Sequence, residues 1–378
     1  MKYYIIAGEP SGDLHGSNLM RGIVKADAAA QFRFWGGDRM AEVGGAGNLD
    51  KHYREMSFFG FVQVVCNLHK IFGQIAECKR DIETFKPDAV ILIDYPSFNM
   101  RIAKWAHHRG LRVFYYIAPK VWAWKEFRVK GIRKYVDRLY TIFPFETEYF
   151  RSKGIEPVFK GNPLVDAIAQ RRPQLPSRER FCAENGLDAR PIVALLSGSR
   201  RTEIVANLPN MVALARRFPT HQFVVTGVPW LDRRIYDDII GNSGVRYVCD
   251  KTYETLNVAE AAVVTSGTAT LETALMGIPE MVLYRVPRLY EILRPYVLKI
   301  PYISLVNINL GREAVREIVT AHFDLEQATA ELRSILEGGD KREKMLGDFA
   351  ELRSIIGGEG ASDRFAADMV EHLKSVVK

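Results

Sequence analysis

Short, continuous runs of Val, Ile and other apolar residues recur along the chain and alternate with longer amphipathic segments. The runs with the length of a buried strand are residues 3–7, 89–93, 113–117, 138–142, 192–196, 222–226, 246–249, 262–265 and 280–284. Apolar strands without alternation are typical of sheets that helices cover on both faces. The pattern therefore predicts an α/β chain whose parallel sheets are joined by right-handed crossovers.

The chain is long enough for two domains, and its alternating pattern has one clear interruption. Its 378 residues exceed the size of a typical single core. The alternation pauses at Gly161-Asn162-Pro163 and in the polar segment 170–180, where prolines exclude a continuous helix. We therefore predict two α/β domains, 1–165 and 166–344, followed by a helical C-terminal segment.

Composition narrows the class of protein and of partner. No apolar run reaches the roughly 18 residues of a transmembrane helix, and the first residues lack the pattern of a signal peptide, so we expect a cytoplasmic protein. The four cysteines have no C-x-x-C spacing, which argues against a disulfide framework and a zinc site. The net charge of +7 favours an anionic partner: nucleic acid, a phosphorylated substrate or an acidic membrane surface.

A Ser-Gly-Thr turn, residues 266–268, follows one predicted strand and begins a predicted helix. Free backbone N–H groups and the positive end of the helix dipole make such a turn an anion site. We predict that Ser266, Gly267 and Thr268 hold a nucleotide diphosphate, while Glu272, one helical turn later, contacts the ribose diol. An ordinary Ser/Thr helix cap is the alternative interpretation.

A second polar loop, residues 197–203, follows the first strand of the second domain. Gly198 and Ser199 permit close approach of a diphosphate, Arg200 brings a permanent charge with a bidentate fork, and Glu203 follows in the next helix. We predict that these residues bind a nucleotide diphosphate, although an exposed arginine pair is the alternative. The chain contains no G-x-G-x-x-G, no P-loop and no D-x-D sequence, so we predict no cofactor and no divalent metal.

Carboxylates follow two strands of the first domain. Asp94 ends the apolar strand 89–93, where partial burial raises a carboxylate pKa toward the value that a general base needs. The loop after the first strand carries Glu9, Ser11 and Asp13, which we assign to the acceptor side. The residues leave open which of the three carboxylates is the base, and capping is the alternative role for each of them.

Apolar residues at helical spacing form one wide stripe after residue 60. They are Phe61, Val64, Val65, Leu68, Ile71, Phe72 and Ile75. A core-facing helix is the default interpretation of such a stripe. The alternative is a helix in a membrane interface, with nearby basic residues against anionic headgroups.

Six segments taken together resemble the lipid-A-disaccharide synthase family, which is glycosyltransferase family 19. They are GEPSGD at 8–13, IDYPSFN at 93–99, VWAW at 121–124, GSR at 198–200, SGTATLE at 266–272, and Asn307 with Gly311-Arg312-Glu313. They cover nearly the whole chain in the family's order.

The resemblance implies a GT-B architecture, with two Rossmann-like domains facing across a cleft and C-terminal helices, from about 345 to 378, crossing back to the first domain. It implies inverting transfer of 2,3-diacylglucosamine from its UDP derivative to 2,3-diacylglucosamine 1-phosphate. Asp94 is then the base, Arg200 stabilises the departing UDP, and Asn307 helps to hold the nucleotide. The resemblance also implies peripheral association with the cytoplasmic face of the inner membrane and no nucleic-acid partner.

Two other functions stay open at this point. One is another UDP-sugar enzyme of the same architecture, a UDP-N-acetylglucosamine epimerase or a peptidoglycan-precursor transferase. The other is a basic RNA- or membrane-binding module without catalysis. The sequence leaves the acyl-chain length and the oligomeric state open, with a homodimer as one candidate.

Overall fold

The computed structural model describes residues 1–56, 68–122, 126–288 and 301–376, with no side chains for 68–70. The chain forms two compact units: Met1–Ala167 with Ile356–Lys378, and Ile168–Ile355. The sequence placed the first boundary after residue 165 and the return to the first unit at about 345. In the structure the first crossing lies within the helix Pro163–Arg171, and the second lies at the end of the helix Arg342–Ile356.

The first unit is built on a seven-stranded sheet with every pair of neighbouring strands parallel. Its strands are β1 (Lys2–Ala7), β2 (Gln31–Gly36), β3 (Leu49–His52), β4 (Ala89–Ile93), β5 (Arg112–Tyr116), β6 (Arg138–Thr141) and β7 (Val158–Phe159). Their order across the sheet is β3-β2-β1-β4-β5-β6-β7. Strands β1 and β4 are almost completely buried, which explains their unbroken apolar sequences.

Helices cover both faces of this sheet. They are α1 (Pro10–Ala26), α2 (Asp38–Gly44), α3 (Tyr53–Met56), α4 (Leu68–Phe85), α5 (Pro96–His108), α6 (Arg128–Tyr135), α7 (Pro144–Ser152) and α8 (Pro163–Arg171), which runs into the second unit. The last helix, α17 (Ala361–Val376), packs against α1 in the core of this unit. The C-terminal return to the first unit, which the sequence predicted, is therefore made by α17.

The second unit contains a six-stranded parallel sheet. Its strands are β8 (Ile192–Leu196), β9 (Gln222–Gly227), β10 (Arg246–Cys249), β11 (Ala259–Val264), β12 (Glu280–Arg285) and β13 (Glu317–Thr320), in the order β10-β9-β8-β11-β12-β13. The helices of this unit are α9 (Arg178–Asn185), α10 (Arg201–Ala215), α11 (Arg234–Ile240), α12 (Thr252–Val258), α13 (Thr268–Met276), α14 (Leu305–Leu310), α15 (Leu325–Ile335) and α16 (Arg342–Ile356).

Sequence patterning missed four strands, β2, β3, β7 and β13, and each of them lacks a long apolar run. β3 reads Leu-Asp-Lys-His, β7 has two residues, β13 reads Glu-Ile-Val-Thr, and β2 includes the polar residues Gln31 and Arg33. Their strand conformation comes from pairing with a neighbouring strand rather than from local composition. The prediction for 262–265 was also shifted, because β11 begins at Ala259 with an irregular register beside β8.

Both sheets have the same topological switch point. In the first sheet β1 lies beside β4, and in the second β8 lies beside β11, with connections leaving to opposite sides. Loops at the carboxyl ends of such strand pairs form the binding crevice of open parallel sheets. The loops singled out from the sequence, after β1, β4, β8 and β11, all lie at these two places.

Candidate active site

The turn after β4 holds Asp94 in an uncommon backbone conformation. Asp94 and Tyr95 have positive φ angles of 43° and 46°, a conformation that costs roughly 1–3 kcal/mol for a residue other than glycine. Hydrogen bonds fix the turn: the Asp94 carbonyl accepts from the Tyr115 hydroxyl at 2.6 Å and from Asn99 Nδ2 at 2.8 Å. The carboxylate is therefore presented by a rigid turn at the switch point.

The electrostatic surroundings of Asp94 suit a general base. Burial, with a smaller contribution from the nearby charge of Glu9, raises the pKa of the Asp94 carboxyl to about 6 against the opposing effects of Lys120 and the Tyr95 amide. Such a carboxylate is largely ionised at neutral pH and is still a stronger base than an exposed aspartate. The partial desolvation inferred from the sequence is present in the structure.

The three predicted acceptor-side residues have different surroundings. Glu9 and Ser11 are exposed at the start of α1, and Glu9 is close enough to Asp94 to influence its pKa. Asp13 is buried, and its carboxylate accepts hydrogen bonds from the amides of Gly37, Arg39 and Met40 at 2.8–3.1 Å. Asp13 therefore caps α2, and Asp94 has the better geometry for a base.

Two titratable residues at this edge of the sheet, Lys120 and Glu146, were not singled out from the sequence. Lys120 follows β5, and its charge lowers the pKa of both Asp94 and Glu146. Glu146 is buried in α7, where burial raises its pKa to about 7 and Trp122 Nε1 donates to it at 3.0 Å. Their positions after β5 and β6 are the signal that was missed, because these strand ends share one edge with β4.

In the second unit, Glu203 organises the loop after β8. Its carboxylate accepts from the amides of Ser199 at 3.1 Å and Arg200 at 3.3 Å, and pairs with the Arg200 guanidinium at 3.0 Å. A side chain at Gly198, whose φ is 104°, would collide with the Glu203 carboxylate. The Arg200 side chain remains 67% exposed, so it is available to an anionic ligand.

The turn after β11 presents the start of α13. The Ser266 hydroxyl donates to the Ile303 carbonyl at 2.9 Å, whereas Gly267 and Thr268 are exposed. Gly267 has a φ of 153° and precedes the helix without a side-chain cap. Nearby, the buried hydroxyls of Ser197 and Thr265 have no hydrogen-bond partner among the described residues.

Glu272 lies in a cluster with two residues from neighbouring helices. The Tyr253 hydroxyl donates to Glu272 Oε1 at 2.5 Å, and the Arg171 guanidinium stacks 4.5 Å from the centre of the Tyr253 ring. Burial raises the pKa of Glu272, and the Tyr253 hydrogen bond and the Arg171 charge counter the shift. The unoccupied acceptor capacity of this carboxylate is compatible with the predicted ribose contact.

Asn307 is buried, and its side chain is engaged within the chain. Its Oδ1 accepts from the amides of Ala314 and Val315, and its Nδ2 donates to the Val315 carbonyl and to Glu317. These four hydrogen bonds hold the segment after α14 and engage both the oxygen and the nitrogen of the Asn307 side-chain amide. The nucleotide contact expected for Asn307 stays a prediction.

The apolar stripe is only partly visible. Residues 57–67 lie outside the described part of the chain, as does the side chain of Leu68, so the assignments of Phe61, Val64 and Val65 are not described. Ile75 is buried and Ile71 packs against the same core. Phe72 is 56% exposed, with the Arg101 guanidinium 5.3 Å from its ring centre. Ile71 and Ile75 thus face the core, whereas Phe72 faces outward.

The comparison with known proteins decides the family. The sequence model of the lipid-A-disaccharide synthetase family matches residues 3–358. The chain belongs to the lipid-A-disaccharide synthase family. A lipid-A-disaccharide synthase from Geobacter metallireducens is 37% identical over 377 residues, covering 98% of this chain and 96% of that protein. The resemblance of the six segments to this family is confirmed. The chain is therefore a glycosyltransferase rather than a non-catalytic RNA- or membrane-binding module.

Solved structures agree with the predicted architecture. UDP-GlcNAc 2-epimerase from Neisseria meningitidis, bound to UDP-GlcNAc, has a TM-score of 0.64 at 13% identity, covering 98% of this chain and 100% of that one. Spinosyn rhamnosyltransferase SpnG, complexed with thymidine diphosphate, has a TM-score of 0.58 at 14% identity, with 99% of both chains covered. These similarities show that this lipid-A-disaccharide synthase family member has the GT-B fold. The structural similarity to an epimerase does not support the alternative epimerase function, because so low a sequence identity shows only a shared fold.

Proposed function

We propose that this chain transfers 2,3-diacylglucosamine from its UDP derivative to the 6-hydroxyl of 2,3-diacylglucosamine 1-phosphate. Asp94 takes the proton of the attacking hydroxyl, whose oxygen forms a bond to the anomeric carbon as the bond to UDP breaks. A single in-line displacement inverts that carbon and gives a β-1,6 linkage. The membership in the lipid-A-disaccharide synthase family supports the reaction, and the surroundings of Asp94 support the role of the base.

The charge that develops on UDP needs compensation as the glycosidic bond breaks. In the second unit, the exposed Arg200 guanidinium and the N-terminus of α13 at Thr268 offer it. We assign Gly198 and Ser199 to close approach of the diphosphate, Ser266 and Gly267 to the shape of the turn, and Glu272 to the ribose. Glu203 acts on the nucleotide through Arg200, because its carboxylate holds that side chain.

We further propose that no divalent ion takes part, because a guanidinium and a helix N-terminus supply positive charge at the predicted diphosphate position. Turnover is therefore expected to be unchanged in excess EDTA. Loss of turnover in EDTA that Mg²⁺ restores would contradict this proposal.

Substitution of Asp94 tests the proposed base. Asp94→Asn keeps the shape of the side chain but removes its basicity, so kcat is expected to fall by about 10²–10⁴. For the wild type, kcat/KM should rise with pH and level off above about 6, since Asp94 must be ionised to act. The acidic limb should disappear in the residual activity of the variant. Asp238→Asn, at an exposed site on α11, is the matched control. Retention of wild-type activity by Asp94→Asn would show that another group is the base.

We also propose peripheral association with the cytoplasmic face of the inner membrane. No helix in the described ranges has both the length and the apolarity to cross a bilayer. The exposed Phe72 beside Arg101 supports contact with an anionic membrane surface. An aromatic ring can enter the boundary of the acyl chains while a cation contacts the anionic headgroups. Phe72→Ser should weaken co-sedimentation with phosphatidylglycerol vesicles. Equal binding by wild type and variant would show that Phe72 does not contact the membrane.

A further inference from the structure

We propose that Lys120 and Arg128 recognise the acceptor by its 1-phosphate and are the residues that distinguish it from the unphosphorylated diacylglucosamine. This inference rests on the proposed function, because it takes Asp94 as the base that meets the acceptor 6-hydroxyl. It concerns the other end of the same sugar, for which the sequence offered no candidate.

Lys120 reaches the edge of the sheet at which Asp94 lies. The chain leaves β5 through Ile117, whose φ is 62°, and the Ala118 amide then bonds the Tyr140 carbonyl at 3.1 Å. The following residues therefore continue past the carboxyl end of β5, which is the neighbour of β4. Lys120 is exposed there, and its charge acts on both Asp94 and Glu146.

Arg128 contacts a residue that directly follows the same turn. It is the first residue of α6, and its guanidinium donates to the Ser97 hydroxyl at 3.2 Å. Ser97 lies in the first turn of α5, three residues after Asp94. The charge of Arg128 also acts on Tyr115, whose hydroxyl holds the Asp94 carbonyl. Two cations thus lie near the turn that presents the base.

Neither cation is neutralised by an ion pair in the described part of the chain. Other cations of this unit have such partners: Arg33 pairs with two aspartates at 2.6 and 2.9 Å, and Arg138 pairs with Asp368 at 2.8 Å. Among the described residues, Lys120 influences two carboxylates without an ion pair to either, and the side-chain hydrogen-bond partner of Arg128 is a neutral hydroxyl. Such cations retain donors for an anionic ligand.

The chemistry of the acceptor matches this arrangement. In a pyranose the carbon that bears the 6-hydroxyl arm and the carbon that bears the 1-phosphate flank the ring oxygen. A base in contact with the 6-hydroxyl therefore has the phosphate within one sugar ring of it. A phosphate near Asp94 would also make the aspartate harder to ionise, and the positive charge of Lys120 offsets that effect. Recognition and catalysis are then served by the same cation.

The test is the preference for the 1-phosphate. Steady-state rates are measured with 2,3-diacylglucosamine 1-phosphate and with 2,3-diacylglucosamine, at a fixed saturating concentration of the UDP donor. Lys120→Gln and Arg128→Gln should each lower kcat/KM for the phosphorylated acceptor by roughly tenfold or more, since each loses a charge-assisted contact. Arg128→Gln should leave kcat/KM for the unphosphorylated acceptor within about twofold of wild type. Lys120→Gln should lower kcat/KM for this acceptor too, because Lys120 also lowers the pKa of Asp94, but by less than it lowers kcat/KM for the phosphorylated acceptor. Lys120→Arg should restore the preference, and Lys130→Gln, at an exposed position of α6, should not change it.

A binding measurement accompanies the kinetics. Glucosamine 1-phosphate should compete with the acceptor in the wild type and compete less in Lys120→Gln, whereas glucosamine should compete equally in both. An equal loss toward both acceptors, or an unchanged preference for the phosphate, would overturn the proposal. Failure of the proposed function is distinguishable, because it would appear as wild-type turnover by Asp94→Asn whatever the preference of the Lys120 and Arg128 variants.

Discussion

Glu280 is a carboxyl group with no compensation in the structure, and it leads to a prediction about stability. It begins β12 in the interior of the second sheet and is completely buried. Neither carboxyl oxygen has a hydrogen-bond partner among the described residues, and the nearest polar contact of its backbone amide is the sulfur of Met345 at 3.3 Å. Burial alone raises the pKa of Glu280 well above its ordinary value of 4.5.

The sign of the effect on stability follows from this shift. The folded chain keeps a proton on Glu280 at pH values where the unfolded chain has released it. The contribution of this group to stability is thus fully present below pH 4.5 and is lost as the pH rises toward the folded pKa. The loss is about 1.4 kcal/mol per pH unit, or about 2.7 kcal/mol over two units inside this window.

Glu280→Met removes the titrating group and keeps an unbranched side chain of similar length. We expect the variant to be more stable than wild type by about 1–3 kcal/mol even where Glu280 is protonated, the usual cost of an unsatisfied buried polar group. In a domain of this size that corresponds to a rise in Tm of roughly 2–12 °C. The gap should be smallest at about pH 5 and should widen by up to about 2.7 kcal/mol toward about pH 7.

Differential scanning calorimetry at several pH values measures this gap. Glu343→Met, at an exposed position of α16, is the control for replacing a glutamate by methionine. A difference in Tm between Glu280→Met and wild type that is the same at all pH values would refute the reasoning. So would a variant that is less stable than wild type throughout, because packing would then outweigh the uncompensated carboxyl.

Two further predictions concern residues near the predicted ligands. Asp13→Asn should lower the stability of the first unit by about 1–2 kcal/mol, because one carboxylate oxygen that faces the α2 amides becomes a donor. Calorimetry measures this loss of stability, and an unchanged Tm would contradict the capping role of Asp13. Tyr253→Phe should raise KM for the UDP donor several-fold at unchanged kcat, because Glu272 loses the hydroxyl that orients it. The variant should also discriminate less between UDP and 2′-deoxy-UDP as competitors. Discrimination equal to that of the wild type would show that Tyr253 takes no part in ribose recognition.

The sequence was sufficient for the fold class because the decisive strands are buried on both faces. The central strands β1, β4 and β8 therefore appear as almost unbroken apolar runs. Edge strands such as β3 escaped prediction, because a polar tetrapeptide becomes a strand only when a neighbour supplies its hydrogen bonds. Asp94, Arg200 and the turn at Ser266 were also accessible, since a polar residue directly after such a run marks the carboxyl edge of a parallel sheet.

The sequence by itself determined that two parallel sheets would place carboxylates, an arginine and a Ser-Gly-Thr turn at their carboxyl edges. Only the tertiary structure decided which of these groups remain available. Asp13 satisfies backbone groups at the start of α2 and Asn307 satisfies those of the segment after α14, whereas Lys120 is brought close to Asp94 and Glu146 by strand pairing. Local sequence cannot contain this information, because hydrogen-bond partners and burial depend on residues that meet only when the strands are ordered across the sheet.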